Sequence, residues 1–270
     1  MNSFLQLFTG FYNRYYKSSY GRQSSEWLAR YLENAVDLAD TEMAELVSVE
    51  PFPHPWEQDS IIVRISPKDS TPGSPTTILS AHQDSINQRN PYEGRAPGAD
   101  DNGSGCAILY EAFRLLVNSD VSLKTPLEFH FYSGEEGGLR GSREVSKAYK
   151  KKNVRIIGVL NIDQAGYTIP GTDPIIGVFT DRVSAVATDF AKSLIQEYAS
   201  IKPKDSRCGY GCSDHASWTS VGYPSVFLSE PMDEDSPDVH SSSDEVSTVN
   251  FDLVVEYTKV ALAWALELSC

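Results

Sequence analysis

The sequence predicts an α/β protein: a single domain whose central sheet is mixed and mainly parallel, with helices covering both faces. Three observations carry that prediction. Runs such as TTILSA (76–81) and VRIIGVLNID (154–163) are apolar almost throughout, as strands buried on both faces are. Helical stretches alternate with them, the clearest being AILYEAFRLLV (107–117). No internal repeat, linker or low-complexity tract divides the 270 residues, a length that one large core accommodates.

Ser24-Ser25 precede a helix with apolar positions Trp27, Leu28, Tyr31, Leu32, Ala35 and Val36, and Ser25 is its expected cap. MAELVSV (43–49) and SIIVRIS (60–66) read as an antiparallel strand pair joined by PFPHP, in which His54 reads as an incidental surface residue. After a turn at 71–75, the TTILSA strand ends in His82-Gln83-Asp84. The glycine-rich loop from Gly98 to Gly105 opens the next helix, where Cys106 is expected to be a buried apolar residue. Leu127, Phe129 and Phe131 then alternate with Glu128, His130 and Tyr132, a strand in which His130 is structural. It ends at Glu135-Glu136, framed by Gly134 and Gly137-Gly138 where the backbone turns sharply, and a helix-like stretch runs from Gly141 to Lys150. The 154–163 strand ends in Asp163. Beyond it come a strand in PIIGVFTD (174–181), a helix over 183–198, a loop from Cys208 to His215, a strand in PSVFLSE (224–230), an acidic segment containing His240, and a closing helix over 251–268.

Lys and Arg number 23 against 37 Asp and Glu, and the net charge of -14 argues against nucleic acid or an anionic membrane as partner. No apolar run approaches the roughly 20 residues of a membrane span. The N-terminus lacks the basic region and cleavage site of a signal peptide and reads as a mature domain behind an added Met. Cys208 and Cys212 bracket Gly209-Tyr210-Gly211, close enough for a small-ring disulfide and hence an oxidising compartment. A thiolate metal pair is the rival reading, though no second cysteine pair completes it.

His82, Asp101, Glu136, Asp163 and His240 all fall at strand ends or in the loops that follow, which a parallel sheet gathers along one edge. Imidazole and carboxylate without thiolate suit zinc, with manganese or cobalt as substitutes. The charges balance for two dications: Asp101, Glu136, Asp163 and a bridging hydroxide would offset them. Glu135, beside Glu136, places a base next to a Lewis acid.

HQD at His82, PGADDNGSG from Pro97, SGEEGGLRGS from Ser133, NID at Asp163, CGYGCSDHASW from Cys208 and DVH at His240 occur in an order and spacing similar to the di-zinc aminopeptidases of the M28 peptidase class. Within it the chain most resembles the secreted leucine aminopeptidases of fungi and a relative from a marine vibrio, over essentially its whole length. The resemblance implies the zinc-peptidase fold, in which Asp101 bridges two Zn2+ ions, Glu136 and His240 complete one site, and His82 and Asp163 the other. It makes Glu135 the general base and Asp84 the acid that orients the His82 imidazole. Cys208 and Cys212 match a disulfide beside the substrate pocket, with Tyr210 between them as an oxyanion or pocket contact. The implied substrates are peptides with a free N-terminus, leucine or another apolar residue being removed, by a secreted enzyme expected to be a monomer.

Asn102 departs from the vibrio relative, which has a further aspartate there, so the resemblance leaves amine recognition open. Asn102-Gly103-Ser104 also matches a glycosylation acceptor, and none is expected at the mouth of a metal site. The rival readings are a single-zinc glutaminyl cyclase, which shares this fold, and a non-catalytic binding homologue. A serine relay of Ser213, Asp214 and His215 is disfavoured, because three consecutive residues do not converge from separate elements, and a polar loop that supports the metal-ligating side chains explains them better.

Overall fold

The computed structural model describes residues 1–69, 71 and 73–270. In chain order its elements are helices α1 (Asn2–Phe8), α2 (Ser19–Asp37) and α3 (Thr41–Ala44), strands β1 (Val47–Phe52), β2 (Ser60–Ile65) and β3 (Thr76–His82), α4 (Gly105–Val117), β4 (Leu127–Tyr132), α5 (Arg140–Lys151), β5 (Ile156–Ile162), β6 (Ile176–Phe179), α6 (Ala185–Tyr198), β7 (Pro203–Ser206), α7 (His215–Ser220), β8 (Ser225–Ser229) and α8 (Phe251–Ser269). The strands form one eight-stranded sheet in the order β1-β2-β4-β3-β5-β8-β6-β7. β4, β3, β5 and β8 run parallel to one another, β1, β2 and β4 pair antiparallel in succession, and β6 is antiparallel to β8.

The period-2 alternation in β4 decides what each face of the sheet carries. Leu127, Phe129 and Phe131 point into the larger core, shared with Leu28 of α2, Phe113 of α4, Ile195 of α6 and Trp264 of α8. Glu128, His130 and Tyr132 point to the other face, where Val145 of α5 and Trp218 of α7 close a smaller core. There His130 is buried between Glu128 Oε2 at 2.8 Å and the Tyr132 hydroxyl at 2.9 Å, the structural role expected of it. Arg64 and the Tyr149 hydroxyl share the Glu128 carboxylate, so the buried charge is paired.

Several local expectations need correction. The first long helix begins at Ser19 and is capped by Ser18, whose hydroxyl accepts from the Gly21 N–H at 3.0 Å; Ser25 lies inside it, donating to the Arg22 carbonyl. Gly21 looks like a helix breaker, but a Cβ there would lie 2.1 Å from the Tyr15 carbonyl oxygen, so close packing selects glycine. Met43 and Ala44 belong to a helical turn because the Asp40 carboxylate accepts from the Met43 N–H at 2.8 Å. The strand therefore starts at Val47 and runs through Pro51, which is tolerated because β1 is an edge. Three elements were hidden: α1 was not expected at all. β7 is a short polar edge strand led by Pro203, and α7 occupies part of what reads as loop. The expected 71–75 turn includes Pro72, which lies outside the described residues; on either side of it the Ser74 N–H donates to the Thr71 carbonyl at 3.0 Å. Among the described residues no helix is long and apolar enough to cross a membrane.

α8 lies close on β5 at Gly158, where an added Cβ would be 2.6 Å from Cζ2 of the buried Trp264 ring. A rigid indole cannot yield, so Gly158→Ala should overpack the core at a cost of about 1–3 kcal/mol. The expected result is a lower urea midpoint with an unchanged slope.

Candidate functional site

β3 sits between β4 and β5, so the chain leaves it first to one side and then to the other. In an open α/β sheet that reversal leaves a crevice at the carboxyl ends of the strands. β3 delivers His82 to its rim, β4 the turn with Glu135 and Glu136, and β5 Asp163. Asp101 comes from a kinked turn, Ala99–Ser104, between β3 and α4, and His240 from the acidic segment after β8.

The five expected metal ligands come together here. His82 Nε2 is 3.1 Å from Asp101 Oδ1 and 3.1 Å from Asp163 Oδ1. His240 Nε2 is 2.9 Å from Asp101 Oδ2 and 3.2 Å from Glu136 Oε2. Two metal-sized groups result, His82–Asp101–Asp163 and Asp101–Glu136–His240, and Asp101 contributes one oxygen to each.

The pKa shifts follow from how closely these acids and imidazoles are packed. Burial alone would lower the His82 pKa, yet Asp163, Asp101 and Asp84 hold it well above the ordinary histidine value. Hydrogen bonds to Asp101 and Glu136 push His240 up to about 11. Burial would raise Asp101, but the two imidazoles keep it well below the carboxylate range. Burial and the Asp101 charge push Glu136 up to about 8, and its Oε1 has no hydrogen-bond partner. Protonated imidazoles thus stand where cations would neutralise the acids. An oxygen and nitrogen donor set with an orphaned carboxylate oxygen fits a pair of divalent ions.

Backbone tethers hold the ligands. Asp84 Oδ1 and Oδ2 accept from the N–H groups of Glu135 and Glu136 at 3.0 and 3.2 Å. Its carboxylate is 3.5 Å from His82 Nδ1, which lies closer to the Asp84 backbone carbonyl, at 3.1 Å. Asp84 therefore fixes the glutamate turn more directly than the imidazole it was expected to orient. Gly134 enters that turn at a φ of 71°, and a Cβ on Gly137 would lie 2.6 Å from the Tyr16 hydroxyl oxygen.

Several supports escaped sequence reasoning. Asp244 accepts from the N–H groups of Asp100 and Asp101 at 2.8 and 3.0 Å, and Ser213 donates to Asp163 Oδ2 at 2.6 Å. The buried Arg14 donates to the carbonyls of Gln83 and Gly98 at 2.8 Å and to that of Pro97. Asp244 and Arg14 are ordinary polar residues in loops that only their backbone partners mark out, whereas Ser213 bonds directly to the Asp163 carboxylate.

Glu135 lies in the wall of a cavity of about 420 Å3 that contains the two groups. Burial pushes its carboxyl well above the usual range. Phe179, Phe227, Met232 and Leu139 give the cavity an apolar side, completed by the Cys208–Cys212 disulfide and the 62% exposed Tyr210 at its rim. Ser213, Asp214 and His215 form no relay: Asp214 and His215 are buried with no hydrogen-bond partner on either carboxylate oxygen or ring nitrogen, and His215 stacks on Phe227 at 4.6 Å. Asn102 is also buried, its amide donating to the Ile162 carbonyl at 2.9 Å. Cys106 is buried as expected, its thiol donating to the His82 carbonyl at 3.2 Å.

His54 is not a surface residue. Its side chain is fully buried, with Nδ1 2.6 Å from Glu144 Oε2 and Nε2 2.7 Å from Ser60 Oγ, and it stacks on Trp56 at 4.4 Å. Burial draws its pKa down against the pull of Glu144. Nothing in the sequence around His54 marks this burial, which comes from tertiary packing against Trp56 and Glu144.

Residues 60–265 match the profile of peptidase family M28. Leucine aminopeptidase 1 of Chaetomium globosum is 41% identical, the alignment covering 100% of this chain and 67% of that protein. The crystal structure of the LapA aminopeptidase of Legionella pneumophila is 32% identical and superposes with a TM-score of 0.90, covering 99% of this chain and 69% of that one. A glutaminyl cyclase of Porphyromonas gingivalis superposes with a TM-score of 0.75 at 17% identity, covering 99% and 96%, a likeness of fold alone.

Burial lowers the His215 pKa from 6.5 to about 3. Below pH 6.5 the unfolded chain gains a proton that the folded one refuses, so stability falls as pH drops from 6.5 towards 3 and is indifferent to this group above that window. His215→Leu should flatten the dependence by up to about 1.4 kcal/mol per pH unit. Urea titrations of both proteins at a series of pH values read the difference, and identical slopes below pH 6 would refute it.

Proposed function

The chain belongs to peptidase family M28 and is an aminopeptidase; from that premise we propose that it works with two zinc ions and removes apolar N-terminal residues, leucine above all, from peptides outside the cell. The observation that carries this reading is the division of Asp101, one oxygen facing His82 and the other His240. A carboxylate so placed serves two cations, where a one-zinc cyclase needs only one set of ligands. His82 and Asp163 would hold one ion, Glu136 and His240 the other, with Asp101 between them.

When bound, zinc supplies Lewis acidity, which acidifies water and polarises a carbonyl. The residues do the rest. Glu135 takes a proton from a water as that water adds to the scissile carbonyl, and returns it to the departing amine nitrogen as the C–N bond breaks. The Asp84 clamp on the Glu135 and Glu136 amides keeps base and ligand in fixed relation. The apolar side of the cavity, with Phe179, Phe227 and Met232, suits a leucine side chain. Asp235, a carboxylate in the cavity wall outside the two metal groups, favours a free α-ammonium group, and the Cys208–Cys212 disulfide supports an oxidising, extracellular setting.

Leucyl-p-nitroanilide should be cleaved and its N-acetylated counterpart left intact. Chelation should abolish turnover and zinc restore it; activity indifferent to chelators, or cleavage of the blocked substrate, would overturn the assignment. Glu135→Gln keeps the backbone N–H that Asp84 holds, so zinc content by elemental analysis should stay at two per chain while kcat falls by about 10²–10⁴. A variant retaining most of its turnover would remove Glu135 from the base role.

A further inference from the structure

The cavity that holds the metal groups does not end at the glutamate turn. Gly138 and Arg143 line both that cavity and an adjoining shelf of about 360 Å3, completed by Trp56, Gly137, Arg140 and Glu144. The shelf shares none of the aromatic residues of the apolar side. Its distinguishing groups are two guanidiniums, Arg140 opening α5 and Arg143 one turn further on, where i and i+3 share a face.

Neither is placed there for the helix. A cation in the first turn opposes the macrodipole, and α5 has no acid in its first turn to offset it. Nor are they spent on ion pairs: among the described residues the arginine ion pairs are made by Arg22, Arg64 and Arg114. The shelf's one carboxylate, Glu144, is engaged by His54 Nδ1 at 2.6 Å. Arg140 is only half committed, its Nε donating to the Gly137 carbonyl at 2.9 Å while the guanidinium lies 5.7 Å from the Tyr16 ring centre. In a chain of net charge -14, two exposed guanidiniums beside the catalytic glutamate mark a place for an anion.

The shelf adjoins the cavity at Gly138 and Arg143, so it offers a route for the chain beyond an N-terminal residue held on the apolar side, and a short peptide would end there in a carboxylate. We propose that this shelf is the subsite for the downstream part of short peptides, with Arg143 and Arg140 receiving the C-terminal carboxylate, so that the enzyme favours di- and tripeptides with a free carboxyl group over their amides. The inference rests on the aminopeptidase reading. A guanidinium fork matches a carboxylate with paired N–H groups and offers a neutral amide much less. The overall negative charge of the protein works in the other direction, so a preference for the acid needs a local cause.

The test measures kcat/KM for Leu-Gly, Leu-Gly-Gly and a pentapeptide of the same series, each as acid and as amide, with leucyl-p-nitroanilide alongside. An extended chain advances roughly 3.3–3.6 Å per residue, so the length with the largest acid-to-amide ratio reports how far the guanidiniums lie from the cleaved bond. Wild-type enzyme should favour the acid about fivefold at one of the two short lengths and show a ratio of about one for the pentapeptide. Arg143→Gln should bring the short-peptide ratio to about one, Arg143→Lys should keep part of it, and Arg143→Glu should invert it. Each ratio is taken within one enzyme, so a change in overall activity does not disturb it. Turnover of leucyl-p-nitroanilide with no acid preference at any length, or a preference unchanged in both Arg143→Gln and Arg140→Gln, overturns the subsite alone. Turnover of no substrate overturns the aminopeptidase reading with it.

Discussion

A single carboxylate, that of Asp101, is divided between the imidazoles of His82 and His240, and the rest of the site is arranged to make that possible. Glu135, Glu136, Asp163, Asp84 and Asp214 crowd the same crevice. Taking an unpaired charge out of water costs several kcal/mol even after the protein relaxes. That cost shows in how the site titrates: both imidazoles hold their protons beyond the ordinary range, and Glu136 and Asp214 are pushed up to about 8 and about 7 by burial. The scaffold is thus poised for cations, and binding them releases protons it otherwise has to hold.

Position in such a site is a matter of fractions of an ångström, and the fold secures it through the main chain. His82 and Tyr132 are register partners in the parallel β3–β4 pair, which sets the histidine beside the turn that follows β4. The Asp84 carboxylate then locks that turn through two amides, and the Asp244 carboxylate locks the Asp100–Asp101 backbone in the same way. Arg14, from the connection between α1 and α2, gathers carbonyls on both sides of the loop leading to Asp101. The glutamate turn, the Asp100–Asp101 backbone and the end of β3 are thus each held through main-chain amides or carbonyls, while the Asp163 side chain is held by the Ser213 hydroxyl.

The convergence of His82, Asp101, Glu136, Asp163 and His240 was legible because chemistry and topology coincide: acids and histidines at the ends of buried apolar strands stand out against the runs before them. The central strands and long helices were legible for the same reason. What stayed hidden lacks that contrast. β7 is four residues of mixed polarity at an edge, and Met43-Ala44 were drawn into a helical turn by one cap at Asp40. His54 looked exposed because the sequence around it is rich in proline, but tertiary packing under Trp56 buries it. Asp244 sits in a stretch so acidic that nothing distinguishes it from its neighbours until the two amides it accepts are seen.

Asn102 shows how a departure from a family pattern can be read physically. Its Nδ2 donates to the Ile162 carbonyl at 2.9 Å, while its Oδ1 accepts from the Gly105 N–H at 3.0 Å and the Gln164 N–H at 3.3 Å. The side chain therefore bridges the end of β5, the start of α4 and the residue after Asp163, and it needs one donor and one acceptor to do so. An ionised aspartate would satisfy the two amides but set an oxygen against the Ile162 carbonyl, two acceptors with no proton between them in a buried place. Asparagine completes the set without adding a charge beside Asp101, whose burden is already the heaviest in the site. The amide thus belongs to the frame that carries Asp101 and Asp163. Asn102 does not line the cavity, whereas Asp101, Glu135, Glu136, Asp163 and Asp235 do.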